Sequence, residues 1–443
     1  MSASTTHTVS ASDSRIQMGT LSSRVFVTGM AAGVVGLGAA IVMAFMDSEN
    51  GAAHFWRAYL VGFLFVLAMM LGGYFFTGIQ HATRAGWSVP IRRLMEVIAA
   101  NSVVVLVLFI PLAIHAIMQS GADDYDSLLW RWMHPDKAES SSLIQHKSGY
   151  LNLNFWLIRA VAFFAVWIIF SRLWFGSSVK QDQTGDVRLT HRMQFWAPVG
   201  MLLFALTLTF AAFDWVMSIE AEWFSTMFGV YFFAISCCTF CSTLILLVFW
   251  LQRNGRLQNE ITLEHWQDMG KMLFAFGVVF HAYIAFSQFM LIWYANIPEE
   301  TTWFMVRMVG GWKNLFLLLA FGHFAIPFLL LVTKHTKRIK PILAGIAVWM
   351  LVMTFIELIL AVHPEVPIYE VLGKPGTTTF AQVEAAMAES PEKFGWSPGL
   401  IDLAAFVGLA GIAVAFIGRR LGTCALVPVN DPRLHEGLAF ENM

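Results

Sequence analysis

Apolar stretches of twenty or more residues recur from one end of this 443-residue chain to the other, and they constrain its fold more than any other feature. A helix needs about 20 apolar residues to cross a hydrocarbon core of ~30 Å. Ten segments qualify: 24–46, 56–81, 91–119, 153–176, 193–219, 224–252, 268–296, 311–335, 339–363 and 398–420. Each is continuously apolar, without the alternation of a barrel strand, and helices are then the remaining way to satisfy every backbone group in lipid. The expected fold is an all-α polytopic membrane protein. Composition agrees, since 57% of residues are hydrophobic and only 13% charged, where soluble domains carry about 25%. A net charge of −1 points to no nucleic-acid partner.

Charge is divided unevenly between the two faces. With ten spans both termini share a face, and that face receives 19 of the 28 Lys and Arg residues, while Asp and Glu favour the other. A Lys/Arg excess marks the cytoplasmic side, so both termini are expected there. Residues 1–23 form a polar, Ser/Thr-rich cytoplasmic segment without a signal-peptide pattern, and residues 421–443 form a cytoplasmic tail. Span 1 (24–46) holds Gly29, Gly33, Gly36 and Gly38, and span 10 (398–420) holds Gly408, Gly411 and Gly418; neither has an ionisable residue at depth. Small residues let helices approach closely, so both spans are expected at the periphery. The eight between them divide as two four-helix bundles, 56–219 with an outer loop at 121–151, and 224–363. A second outer loop, 365–397, contains Thr379-Phe-Ala-Gln382, a capping-box pattern that predicts a short helix through about Glu389. These acidic loops read either as solvated connections or as a docking surface for a partner.

An ionisable side chain within a bilayer costs about 2.5–3.5 kcal/mol on insertion scales, which makes each one a functional candidate. They fall in three layers: Tyr74, His81 and Glu96 near the cytoplasmic side; Asn101, His281, Tyr283 and His323 near the middle; His115, Asp214, Gln288 and Glu357 toward the outside. Asp214, Glu357, Glu96, His281, His323, His115, His81 and Tyr283 are therefore candidates for a proton relay. The bland alternative is one interhelical hydrogen bond each, and it is weakest for the carboxylates, which cost most to bury. His281, Gln288 and Tyr294 could supply the few hydrogen bonders of a quinone site. His281 and His323 lie at similar depth on consecutive spans, a spacing compatible with bis-His haem, but only one such pair is present. Cys237-Cys238-x-x-Cys241 lies within an apolar span without a fourth thiolate nearby and reads as packing. No metal ligands and no catalytic residues are assigned. Glu220, Glu222, Glu299 and Glu300 cluster with Trp215, Trp223, Trp293, Tyr294 and Trp303 at the outer ends of spans 5–8. The rings read as an interfacial belt, the carboxylates as a proton exit or partner contact.

Three strings carry a resemblance. Phe213–Phe233 (FDWVMSIEAEWFSTMFGVYFF), Phe286–Phe304 (FSQFMLIWYANIPEETTWF) and the tail Val429–Asn442 (VNDPRLHEGLAFEN) resemble the F subunit of alternative complex III. That complex is a bacterial quinol:electron-acceptor oxidoreductase, and the subunit is a distant relative of NrfD-like membrane subunits. The resemblance implies an inner-membrane subunit that binds no cofactor itself, with two four-helix bundles flanked by peripheral helices. It implies quinol as the substrate of the whole complex. The implied partners are a sister NrfD-like subunit that holds the better-supported quinol site, an iron–sulfur subunit and haem c subunits. For this subunit it implies scaffolding and proton conduction. Direct quinone binding is the competing reading. A secondary transporter is a third, disfavoured because Pro111 and Pro327 do not break spans at matching positions of two halves.

Overall fold

The computed structural model describes residues 13–47, 51–120, 129–364, 379–389 and 398–442. Among them there is no strand, and ten helical spans are long and apolar enough to cross a membrane. Span 1 is the helix Thr20–Met46. Spans 2–10 are Gly51–Ala82, Val89–Gln119, Leu153–Thr184, Val187–Trp215, Phe228–Arg253, Leu263–Ala295, Trp312–Leu331, Lys340–Val362 and Leu400–Leu421. The apolar runs thus mark the spans closely. Several helices run past the apolar run at the termini's face, as spans 4 and 5 do around the turn at Gly185, a left-handed helix cap (φ 66°).

Span 2 is the axis of the packing. It is buried along almost its whole length and touches spans 10, 6, 3, 5 and 9. Its glycines set those distances, because a Cβ on Gly72 would lie 2.3 Å from the Ser236 carbonyl oxygen of span 6. Span 1 packs chiefly along span 10 through the predicted small residues. A Cβ on Gly36 would lie 2.5 Å from the Gly408 amide nitrogen, and one on Gly29 would lie 2.8 Å from the Gly411 carbonyl oxygen. Span 10 does bring in an ionisable residue at its start, since Asp402 in its first turn is buried.

Three spans are broken in ways that matter for the site. Span 3 is two helices, Val89–Ala99 and Ser102–Gln119, joined at Asn101. Span 7 contains a π-helical segment, Leu273–Phe280, directly before His281. Span 8 contains another, Ala320–Ala325, with His323 inside it. Pro327 follows the second; lacking an N–H, it cannot donate the i→i−4 bond to the His323 carbonyl, and such ladder defects are commonly absorbed by a local change of pitch. π segments are rare and concentrate at functional sites.

Outside the spans the chain is well ordered where it is described. The tail is a strap, not a loose end: Leu426 N–H donates to the Ile16 carbonyl (2.8 Å), and Asn442 Nδ2 donates to the Glu264 carbonyl (3.1 Å). At the opposite face, Thr379 and Gln382 exchange hydrogen bonds, and the helix Phe380–Glu389 follows. That helix lays Val383 and Ala386 on Met305 and Val306 of the helix Pro298–Arg307 and on Val309 just beyond it, and the helix Pro298–Arg307 covers the ends of spans 7 and 8. Asp123, Asp124 and Asp126 of the loop at 121–151, and most of the loop at 365–397, lie outside the described residues.

Overpacking a close helix crossing costs about 1–3 kcal/mol. Gly36→Val is expected to lower the thermal unfolding midpoint of the detergent-solubilised chain, followed by tryptophan fluorescence. Gly38→Val, whose Cβ meets nothing within 4 Å, is expected to leave it unchanged.

Candidate functional site

Glu357 is the centre of the site. It lies one turn and a half before the end of span 9, buried, and three side chains from three other spans converge on it. His281 Nε2 donates to Oε1 at 2.7 Å. The Tyr231 hydroxyl of span 6 donates to the same oxygen. His323 Nδ1 lies 3.2 Å from the other oxygen, Oε2. The two imidazoles stack face to face, with centroids 4.0 Å apart and planes at 6°.

Local structure explains how spans so far apart in sequence meet here. The π segment of span 7 presents the Gly277 carbonyl to His323 Nε2 at 3.3 Å, so each π segment holds part of the other's geometry. Gly322 lets span 8 close on span 9, since its Cβ would lie 2.7 Å from Met353 Sδ, and its carbonyl accepts from Trp349 Nε1 at 2.7 Å. Cys238 packs beneath Gly277 as part of the core, and all three cysteines of span 6 are buried free thiols.

The hydrogen-bond directions count protons. A carbonyl only accepts, so His323 Nε2 carries a hydrogen toward Gly277. Its Nδ1 and Glu357 Oε2 then meet as two acceptors unless one more proton lies on this pair. The pair can therefore take up one proton, on the ring or on the carboxyl, the two atoms being 3.2 Å apart.

A cavity of about 620 Å³ opens beside the cluster, between spans 7 and 8. Its walls are mostly apolar and aromatic, including Phe286, Phe289, Phe316 and Phe324, and its polar members are few: Tyr231, His281, Gln288, Arg307, His323 and Glu357, with Tyr283 at the rim. Tyr283 (64% exposed), Phe286 (62%) and Phe324 (40%) face outward, so the mouth opens sideways along the apolar belt. Gln288 Oε1, His323 Nδ1 and Glu357 Oε2 are buried without an aligned hydrogen-bond partner among the described residues.

Arg307 forms the end of the cavity away from the termini. Its guanidinium donates to the Leu360 carbonyl (2.9 Å), the Ala361 carbonyl (3.2 Å) and Glu220 Oε1 (3.3 Å), and lies 3.6 Å over the Trp303 ring. Burial lowers it from its ordinary range to about 10, with Glu220 pushing the other way, so it is a fixed cation at neutral pH.

The remaining candidates go elsewhere. Asp214 is clamped by Arg159 of span 4 through two bonds, Nε to Oδ2 at 2.7 Å and Nη2 to Oδ1 at 2.9 Å, and Arg159 stacks 3.8 Å over the Tyr150 ring. Such bidentate pairing fixes geometry, and Asp214 does not line the cavity. Glu96 sits at the termini's face between Arg92 Nε (3.4 Å), Arg93 Nε (3.3 Å) and His81 Nε2 (3.6 Å). Arg92 also pairs with Asp431, and Arg93 with Asp182 (2.8 Å), so this network buckles the tail to spans 2–4. His115 stacks on Trp56 at 4.1 Å and bonds Gln119. Tyr294 is 90% exposed and lies outside the cavity lining, unlike Gln288. The polar residues thus form separate clusters that do not follow the three layers: Glu357 of the outer layer joins His281 and His323 of the middle one, while Glu96, Asp214 and His115 each keep their own partners. Tyr231 and Arg307 were missed in the sequence: the tyrosine reads as one aromatic among many, the arginine as one more loop charge.

The cluster also bears on metal and haem. His281, His323 and Glu357 place donor atoms within 4.8 Å of one another. Imidazole lone pairs lie in the ring plane, however, and those of stacked parallel rings do not converge on one ion. Nor do stacked rings leave the gap that a porphyrin between two axial ligands requires. No family model matches the chain, and no curated protein matches it.

Breaking a buried ion pair by removing one charge costs about 3–5 kcal/mol. Asp214→Asn is expected to destabilise the chain by that order in thermal or denaturant unfolding, and Arg159→Met combined with Asp214→Leu to recover most of it. A single Asp214→Asn variant with wild-type stability would remove Asp214 from the structural role assigned to it.

Proposed function

We propose that this chain is an integral membrane subunit of a bacterial quinol-oxidising respiratory complex of the alternative complex III kind, and that it binds a quinone-type head group beside Glu357. The observation that carries the reading is the set of buried acceptors without an aligned hydrogen bond among the described residues, in a cavity open to the apolar belt. A buried polar atom without a partner costs about 1–3 kcal/mol, and a ligand with two hydroxyls would relieve it at Gln288, His323 and Glu357. A cavity of this kind, apolar with a few convergent polar groups, is what a small lipophilic ligand requires. Entry along the belt suits a molecule that travels in the bilayer.

In this reading the chain's part is proton transfer. Oxidation of a quinol releases two protons and two electrons. The Glu357–His323 pair takes up the two protons one after the other at Oε2 or Nδ1, each leaving before the next arrives, and His281 and Tyr231 keep the other carboxylate oxygen in place. Arg307 links the cavity to Glu220 at the acidic face, the side on which the Lys/Arg bias places the cell exterior and to which the protons would leave. The electrons pass to iron–sulfur and haem c groups in partner subunits, with a sister NrfD-like subunit alongside. Spans 2–5 and 6–9 are read as two four-helix bundles with spans 1 and 10 outside them, both termini cytoplasmic and the inner membrane as location. Compared with a relay running from face to face, the separation of the polar clusters favours a local proton-accepting site.

The test begins with mild-detergent purification and mass identification of what accompanies the tagged chain. Haem c and iron–sulfur subunits are expected, and a chain that emerges alone argues against the respiratory assignment. In the assembled complex, Glu357→Gln and His281→Ala are each expected to lower quinol oxidation at least tenfold and to abolish labelling of spans 7 and 8 by a photoreactive quinone. Unchanged labelling in both variants would exclude the site.

A further inference from the structure

A second histidine–carboxylate cluster lies at the face opposite the termini, away from the cavity. Asp402, in the first turn of span 10, is buried between His54 at the start of span 2 and His363 just past the end of span 9. His54 Nε2 lies 3.0 Å from Oδ2, and His363 Nε2 lies 2.8 Å from Oδ1. The second contact lacks hydrogen-bond alignment: both His363 Nε2 and Asp402 Oδ1 are buried without an aligned partner among the described residues. All three residues offer donor atoms within 4.8 Å of one another. None of them lines the cavity beside Glu357.

We infer that His54, His363 and Asp402 form a binding site for a divalent transition-metal ion of the zinc class. Two imidazoles and one carboxylate, with a further position left for water, are a recurrent ligand set for such ions. Ring geometry separates this cluster from the one at Glu357. The His54 and His363 rings stand at 83° with centroids 5.6 Å apart, so their in-plane lone pairs can meet at one point. Tetrahedral ligation at 2.0–2.1 Å asks for donors about 3.3 Å apart, within a small adjustment of the distances present. The site is also held from behind. Gly399 N–H donates to Asp402 Oδ2 at 2.8 Å, holding the carboxylate itself, and Arg57 Nη1 donates to the His363 carbonyl at 3.4 Å, holding the backbone that carries this imidazole. Outer support of this kind orients metal ligands. His54 is partly exposed, with 15% of its side chain accessible, which gives an ion a way in.

An ion here would tie together three helix ends: the start of span 2, the end of span 9 and the start of span 10. Span 1 rests mainly on span 10, so the site would secure both.

The test uses the full-length chain, or its native assembly, purified with a tag free of histidine and stripped with a chelator. Titration with Co²⁺ is expected to give a saturable visible d–d band at one equivalent, displaced by Zn²⁺, with a rise in unfolding midpoint. His54→Ala is expected to weaken binding at least 30-fold while the chain stays monodisperse. His54→Cys is expected to restore binding with a sulfur-to-cobalt charge-transfer band, which a purely structural imidazole would not produce. His281→Ala and Glu357→Gln are expected to leave the band intact. Absence of stoichiometric binding, or binding lost in Glu357→Gln and kept in His54→Ala, would overturn the assignment.

Discussion

Taking a carboxylate out of water into a helix bundle costs several kcal/mol unless opposite charge and hydrogen bonds meet it there, and that constraint organises this molecule. Among the described residues, four carboxylates are buried within the spans, and each is met by a group from another segment. Asp214 joins spans 5 and 4 through Arg159. Glu96 gathers Arg92, Arg93 and His81 at the termini's face. Asp402 draws spans 2 and 9 onto span 10. Glu357 collects spans 6, 7 and 8 onto span 9. In lipid the hydrophobic effect does little to choose one helix neighbour over another, so crossings with a charge at stake carry much of the specificity.

What separates Glu357 from Asp214 and Glu96 is the character of its partners, and what separates it from Asp402 is the cavity beside it. Asp214 and Glu96 face guanidinium groups, which do not give up a proton in a protein, so those contacts are fixed. Glu357 faces imidazoles and a phenol, all able to exchange protons, and it borders a cavity. The two π segments place its histidines by shifting helical register where a regular helix would point them elsewhere. Irregular backbone of this sort is tolerated at membrane depth where it lines a cavity or is packed by protein. Close approach of Gly277 to Cys238 of span 6 and of Gly322 to Met353 of span 9 then seats the irregular turns against their neighbours.

The outer-face arginines show how far charge counting reaches. The Lys/Arg bias leads to an expected orientation because most of these residues sit in loops on one face. On the poorer face, Arg57, Arg159 and Arg307 are buried, each at a span end and bonded to a backbone carbonyl. A cation on the positive-poor side, next to an apolar run with an acidic residue in reach, is the signal that could have found them. His54, His363 and Asp402 left a fainter one, since each sits at a span boundary where polar residues are ordinary.

Number, extent and helical nature of the spans follow from sequence, because a continuous apolar run of twenty residues has one stable arrangement in lipid. The glycine crossing of spans 1 and 10 was legible for the same kind of reason, as small residues at Gly29, Gly33, Gly36 and Gly408 have little other use along an apolar helix. So was the cap at Thr379, a local pattern that closes within four residues. Pairings among distant polar groups were not. Glu357 reads as an outer-layer residue and His281 and His323 as middle-layer ones, and only the tertiary structure joins them. Depth along a helix can be counted from sequence, but the side of the helix on which a residue faces depends on pitch, and two π segments changed that pitch. The exclusion of Asp214 and Tyr294 from the cavity was decided likewise, by which neighbours packed beside them.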